Sequence, residues 1–122
     1  VQLKRFINEF DITRKNIAKE YTRLLIDNKK IKLIKMNYDN VVPHIFPILV
    51  MDNLRNKLVE SFLENDVQCG LHYKPNHLLS KYKTSYKLDI TEKVFNQILT
   101  IPLHPEINNS EIKKITNIIN NI

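Results

Sequence analysis

Glycine is almost missing from this chain: Gly70 is the only one in 122 residues. Dinucleotide and Walker-type phosphate loops need several glycines, so the sequence excludes both. Cysteine is equally scarce. Cys69 stands alone, cannot form an internal disulfide, and fits a reducing, cytoplasmic setting. No apolar run approaches the roughly 18 residues of a membrane span, so no membrane partner is expected. The N-terminus lacks the basic stretch and apolar run of a signal peptide. Arginine is sparse too, at Arg5, Arg14, Arg23 and Arg55, so lysine supplies most of the net charge of +6. The lysines are dispersed, as at Lys29-Lys30 and Lys113-Lys114, which reads as a solvated surface and not as a nucleic-acid grip. An anionic small ligand remains compatible with the charge.

What is present suits one domain. An apolar fraction of 43% allows a packed core in a chain of this length. Leu3, Phe6, Ile7, Phe10, Ile17, Tyr21, Leu24 and Leu25 fall at helical spacing, which predicts one long amphipathic helix over 2–27. It opens without a cap or an initiator methionine, so the chain is expected to be cut from something longer. Residues 31–36 read as a short strand. Residues 41–50 read as another, placed at a sheet edge or bulged because Pro43 and Pro47 lack a donor. Asp52 or Asn53 is expected to cap a helix with Leu54, Leu58, Phe62 and Leu63 inward and Arg55, Lys57 and Glu60 outward.

Residues 67–73 alternate as a core strand ended by Pro75, and Asn76 is placed to cap a helical turn over 77–82. A helix over 90–97, a strand over 98–103 and a last helix follow. Asn108 and Glu111 have capping-box spacing for that helix, with Ile112, Ile115, Ile119 and Ile122 on one face. The expected fold is α+β: a small, mostly antiparallel sheet with helices packed on one side, preceded by the long helix.

Polar chemistry crowds into Gly70-Leu71-His72-Tyr73-Lys74-Pro75-Asn76-His77. His72 and His77 are separated by a turn, and no HExxH or CxxC pattern adds a third metal ligand. A Cys69/His72 nucleophile pair is opposed by strand alternation, which points residues three apart to opposite faces. Imidazole, phenol and ammonium are all donors, so His72, Tyr73 and Lys74 read best as contacts to phosphate or carboxylate. His77 serves equally as a helix-start residue, and His72 as a core histidine bonded to backbone. His44 lies in the proline-flanked strand, where an imidazole facing water is the simpler reading. Arg55 in a first helical turn opposes the dipole, so either an anionic ligand or an ion pair with Asp52 would account for it.

Five segments in order resemble the C-terminal domain of the DegT/StrS-type sugar aminotransferases. Val1-Gln2-Leu3 with Arg14, Ile17-Ala18, Tyr21 and Leu24-Leu25 is similar to the family's connecting helix (1–28). His44-Ile45-Phe46-Pro47-Ile48 resembles its histidine-bearing strand, and Arg55 with Leu58 and Leu63 the helix that follows. His72-Tyr73-Lys74-Pro75-Asn76-His77 resembles its HYxPxH turn, and Ile101-Pro102-Leu103-His104-Pro105 its LPLHP strand end.

The resemblance implies a pyridoxal-phosphate enzyme that moves an amino group, usually from glutamate, onto a nucleotide-linked keto sugar. It further implies a homodimer, and it places His72 and Tyr73 near the sugar nucleotide, with Lys74, His77 and His44 as further substrate-binding candidates. The family's Schiff-base lysine belongs to a preceding large domain, and no segment here matches its motif. The 122 residues are thus expected to be the small domain alone, holding no cofactor and inactive by themselves. The competing reading is a free-standing basic α+β domain that binds a polyanion or a protein.

Overall fold

Three short apolar segments pair into the sheet that organises the molecule in a computed structural model, which describes Lys4 and residues 9–122. The elements run α1 (Asp11–Leu25), β1 (Ile31–Leu33), β2 (Phe46–Val50), α2 (Arg55–Glu64), α3 (Asp89–Gln97), β3 (Ile98–Ile101) and α4 (Asn109–Asn120). Two single 3₁₀ turns, Asn76–Leu78 and Ser80–Tyr82, interrupt the long passage from α2 to α3. The sheet order is β1-β2-β3 and both pairings are antiparallel. This is the α+β architecture expected from the pattern.

One side of the sheet makes the core. Phe46, Ile48 and Val50 alternate inward along β2, joined by Ile31, Leu99 and Ile101. Ile17, Ala18, Tyr21 and Leu25 of α1, Leu58 and Phe62 of α2, and Ile112, Ile115 and Ile119 of α4 share that cluster. Tyr21 is fully buried, its ring centroid 5.2 Å from that of Phe46, and its hydroxyl donates to the Pro102 carbonyl at 2.9 Å. That bond joins α1 to the exit of β3. The capping box at α4 forms as the spacing predicts: Asn108 Oδ1 accepts from Ser110 N–H and Glu111 N–H, while Asn108 N–H donates to Glu111 Oε2.

Several expectations are corrected. β2 is the central strand and not an edge, despite Pro47. Register explains why. Thr100 pairs across from Pro47, but both backbone groups of Thr100 bond to Gly70 on its far side, at 2.8 Å each. Pro47 and Thr100 are therefore a non-hydrogen-bonded pair, and the donor that Pro47 lacks would point toward β1. β1 ends at Leu33 opposite Ile48, so no acceptor waits there. The segment 67–73 is not a full strand; only the Gly70–Thr100 bridge pairs.

Both outer strands are shorter than the apolar runs suggest, ending at Leu33 and Ile101. Leu63 is 77% exposed, not inward, because Leu58 and Phe62 already define the buried face and Leu63 lies a quarter turn away. Asp52 and Asn53 do not cap α2. Their φ angles are 54° and 59°, a left-handed turn that these two residue types tolerate, and Leu54 holds the N-cap position. Asn76 likewise makes no side-chain cap. The first helix is described over Asp11–Leu25, and the expectation for Leu3, Phe6 and Ile7 lies outside the described residues.

Candidate functional site

The lone glycine builds the turn. A methyl group on Gly70 would stand 2.4 Å from His72 Cε1 and 2.9 Å from His72 Nδ1, because the imidazole lies over the glycine backbone. From there His72 Nδ1 sits 3.3 Å from Thr100 Oγ1. Thr100 is buried on the sheet face opposite the main core, as its pairing with Pro47 requires. With Nδ1 engaged, Nε2 is the ring nitrogen left for a ligand. The His72–Tyr73 peptide bond is cis, and the two rings lie 5.1 Å apart. Tyr73 is 76% exposed, Lys74 is exposed, and Pro75 is buried beneath them.

His77 faces the other way. Its side chain is only 10% exposed, and its Nε2 N–H donates to Glu92 Oε1 at 3.1 Å, tying the first 3₁₀ turn to α3. The structure therefore gathers His72, Tyr73 and Lys74 as an outward group and turns His77 inward. His44 stands apart, exposed in the connection before β2, with no hydrogen bond to the turn among the described residues. Glu92→Ala is expected to loosen this clasp by about 1 kcal/mol, a charge-assisted bond discounted for the half-exposed carboxylate. Amide exchange at Leu78 and Leu79, which donate to the Pro75 and Asn76 carbonyls, should then quicken roughly fivefold. Unchanged exchange would show that the clasp holds nothing.

Contacts bear on two further readings. Arg55 makes no ion pair with Asp52 among the described residues. Its Nη1 donates to the Phe95 carbonyl at 2.7 Å and its guanidinium lies 5.9 Å from the Phe95 ring centroid, so it binds α2 to α3. Cys69 packs against the core, and burial raises its thiol pKa above the ordinary value, which opposes nucleophilic use. No bond joins it to His72 among the described residues. Among these residues, too, no three His, Cys, Asp or Glu side chains cluster as metal ligands, and no helix is long and apolar enough to cross a membrane.

The model of the DegT/DnrJ/EryC1/StrS aminotransferase family matches residues 1–120. The chain belongs to that family. Within it, the chain is 29% identical over 117 residues to a dTDP-4-dehydro-2,3,6-trideoxy-D-glucose 4-aminotransferase of Saccharopolyspora spinosa, covering 94% of this chain and 30% of that protein. The fold matches the aminotransferase TlmJ of Streptoalloteichus hindustanus with a TM-score of 0.85 at 20% identity, over 99% of this chain and 33% of that one. It also matches the PLP form of Spr1654 from Streptococcus pneumoniae, with a TM-score of 0.80 at 22% identity, over 99% of this chain and 33% of that one. The chain thus spans about a third of the length of these relatives. For this DegT-family chain the HYxPxH-like turn is a polar outcrop on the sheet's second face, held by Thr100 and Glu92. Thr100 and Glu92, which hold its two histidines, were not singled out from the sequence. Thr100 offered a faint signal as the one hydroxyl in an otherwise apolar strand, and Glu92 offered none.

Proposed function

We propose that this chain is the C-terminal small domain of a pyridoxal-phosphate aminotransferase acting on a nucleotide-linked keto sugar, with glutamate as amino donor, in glycan or surface polysaccharide biosynthesis. The family match along residues 1–120 carries this reading. In it, the complete enzyme is a cytoplasmic homodimer, and this domain supplies one wall of the active site. His72, through its free Nε2, and Tyr73 and Lys74, through their exposed donors, face the sugar nucleotide. His77 and His44 are further substrate-facing positions; the first reaches substrate only by leaving Glu92, and the second only if another part of the enzyme approaches it.

When bound, the cofactor supplies an electron sink for the amino transfer. The residues described here do not by themselves fit it. A Schiff-base lysine works from an enclosed, desolvated position. Of the fifteen lysines, fourteen are exposed, and the remaining one, Lys15, is half-buried and paired with Asp11 at 3.0 Å. The chain alone is therefore expected neither to retain the cofactor nor to transaminate. Incubation with pyridoxal phosphate followed by desalting should leave no cofactor absorbance, and glutamate with a dTDP- or UDP-linked keto sugar should give no amino sugar. A retained absorbance band or measurable turnover overturns the assignment of catalysis to another domain.

A further inference from the structure

From Val67 to Leu88 the chain contains no acidic residue, and within that run Lys81-Tyr82-Lys83-Thr84-Ser85-Tyr86-Lys87 lies wholly exposed. We propose that Lys81, Tyr82, Lys83, Tyr86 and Lys87 form a subsite for the nucleoside diphosphate end of a sugar nucleotide. The proposal rests on the aminotransferase reading and extends it from the turn at His72 to the strap beside it.

Charge is the first ground. Some basic side chains elsewhere have an acidic partner, as Lys15 with Asp11, Lys19 with Asp39 and Arg23 with Glu20. Among the described residues Lys81, Lys83 and Lys87 make no ion pair or hydrogen bond, and three unpaired ammonium groups within seven residues repel one another. A diphosphate brings compensating charge and several acceptor oxygens in one compact group. Asp89 and Glu92 follow the strap, but Glu92 is already held by His77.

The aromatic content is the second ground. Tyr82 and Tyr86 are 62% and 79% exposed, and neither hydroxyl has a hydrogen-bond partner among the described residues. Flat aromatic faces beside ammonium groups suit a base on one side and phosphates on the other. The strap is also anchored. Tyr82 N–H donates to the Leu79 carbonyl at 3.0 Å and Tyr86 N–H to Thr84 Oγ1 at 3.2 Å, while the His77–Glu92 clasp fixes the preceding turn. A fixed strap loses less entropy on binding than a free one.

The test is a titration of the isotopically labelled chain, followed by NMR, with UDP and dTDP, and separately with uridine and inorganic pyrophosphate. Pyrophosphate should shift the amides of Lys81, Lys83 and Lys87, and uridine the rings of Tyr82 and Tyr86. UDP should bind at least tenfold more tightly than either half, and added salt should weaken it. Tyr82→Ala should weaken UDP roughly tenfold, the loss of one base stack, while the remaining spectrum stays unchanged. UDP shifts that map outside residues 80–88, or no shift there up to about 20 mM, a concentration that corresponds to very weak binding, overturn the subsite. So does a ten-residue oligonucleotide that binds far more tightly than UDP with a steep salt dependence, which marks a polyanion surface. A keto-sugar nucleotide that shifts His72–Lys74 but leaves 81–87 unmoved overturns the subsite and spares the aminotransferase reading. UDP shifts at 81–87 with no keto-sugar effect at 72–74 do the reverse.

Discussion

Tyr21→Ala is expected to lower the free energy of unfolding by about 3–5 kcal/mol, the usual cost of removing a fully buried aromatic ring. That is a large part of the roughly 5–15 kcal/mol that holds a domain together. The ring fills the space between α1 and β2 against Phe46, and the hydroxyl satisfies the Pro102 carbonyl. Tyr21→Phe keeps the ring and removes only that bond, so it should cost about 1–2 kcal/mol. Urea unfolding with unchanged slope and a lowered midpoint reads both effects. A cost below about 1 kcal/mol for the alanine variant would show that α1 is not docked as described.

The same residue sets an alkaline limit. Burial, and secondarily the charge of Glu111, raises the Tyr21 pKa well above the ordinary tyrosine value of 10.0. The folded state therefore keeps a proton that the unfolded chain loses at high pH. The stability this proton confers is complete below pH 10 and falls as pH rises from there toward the folded pKa. The loss approaches about 1.4 kcal/mol per pH unit for one proton. Tyr38, also raised by burial, adds to the effect in the parent chain. The difference between parent and Tyr21→Phe isolates the Tyr21 share, and parallel alkaline curves for the two would refute it.

Gly70→Ala carries the second large effect, concentrated at the candidate site. The new methyl would occupy the place of the His72 ring at 2.4 Å, so the imidazole must swing off the glycine and leave Thr100. A cost of about 1–3 kcal/mol is expected, as for other overpacked positions. The ring ¹⁵N signals of His72 should move while those of His104 stay. Thr100→Val tests the other half: it removes the hydroxyl at constant shape, so the ring signals should shift with little change in backbone spectra. Unmoved His72 signals in both variants would place the imidazole elsewhere.

How much of this was legible varies with the range of the signal. The α4 helix and its box at Asn108 and Glu111 were readable because every participating group lies within three residues. The inward face of α1 through Ile17, Tyr21 and Leu25 was readable for the same reason, since helical period alone selects it. Pro47 misled because a missing donor matters only if an acceptor stands opposite it, and that depends on where β1 stops. The site divides the same way. His72, Tyr73, Lys74 and His77 are adjacent in sequence and visible as a cluster. Thr100 lies 28 residues from His72 and Glu92 lies 15 from His77, and only the folded chain brings them together.

Pro47 has one more effect, on how the molecule meets its neighbours. By withholding a donor on the β1 side it removes one of the two backbone bonds that a longer first strand could make there, and the free border of the sheet is three residues long with Lys32 exposed at its centre. A border that short, with a charge in the middle, is a poor template for a foreign strand. The opposite border is shielded where Gly70 bonds to Thr100. The proline that looked like a defect in the central strand thus helps keep separate copies of the chain from joining edge to edge.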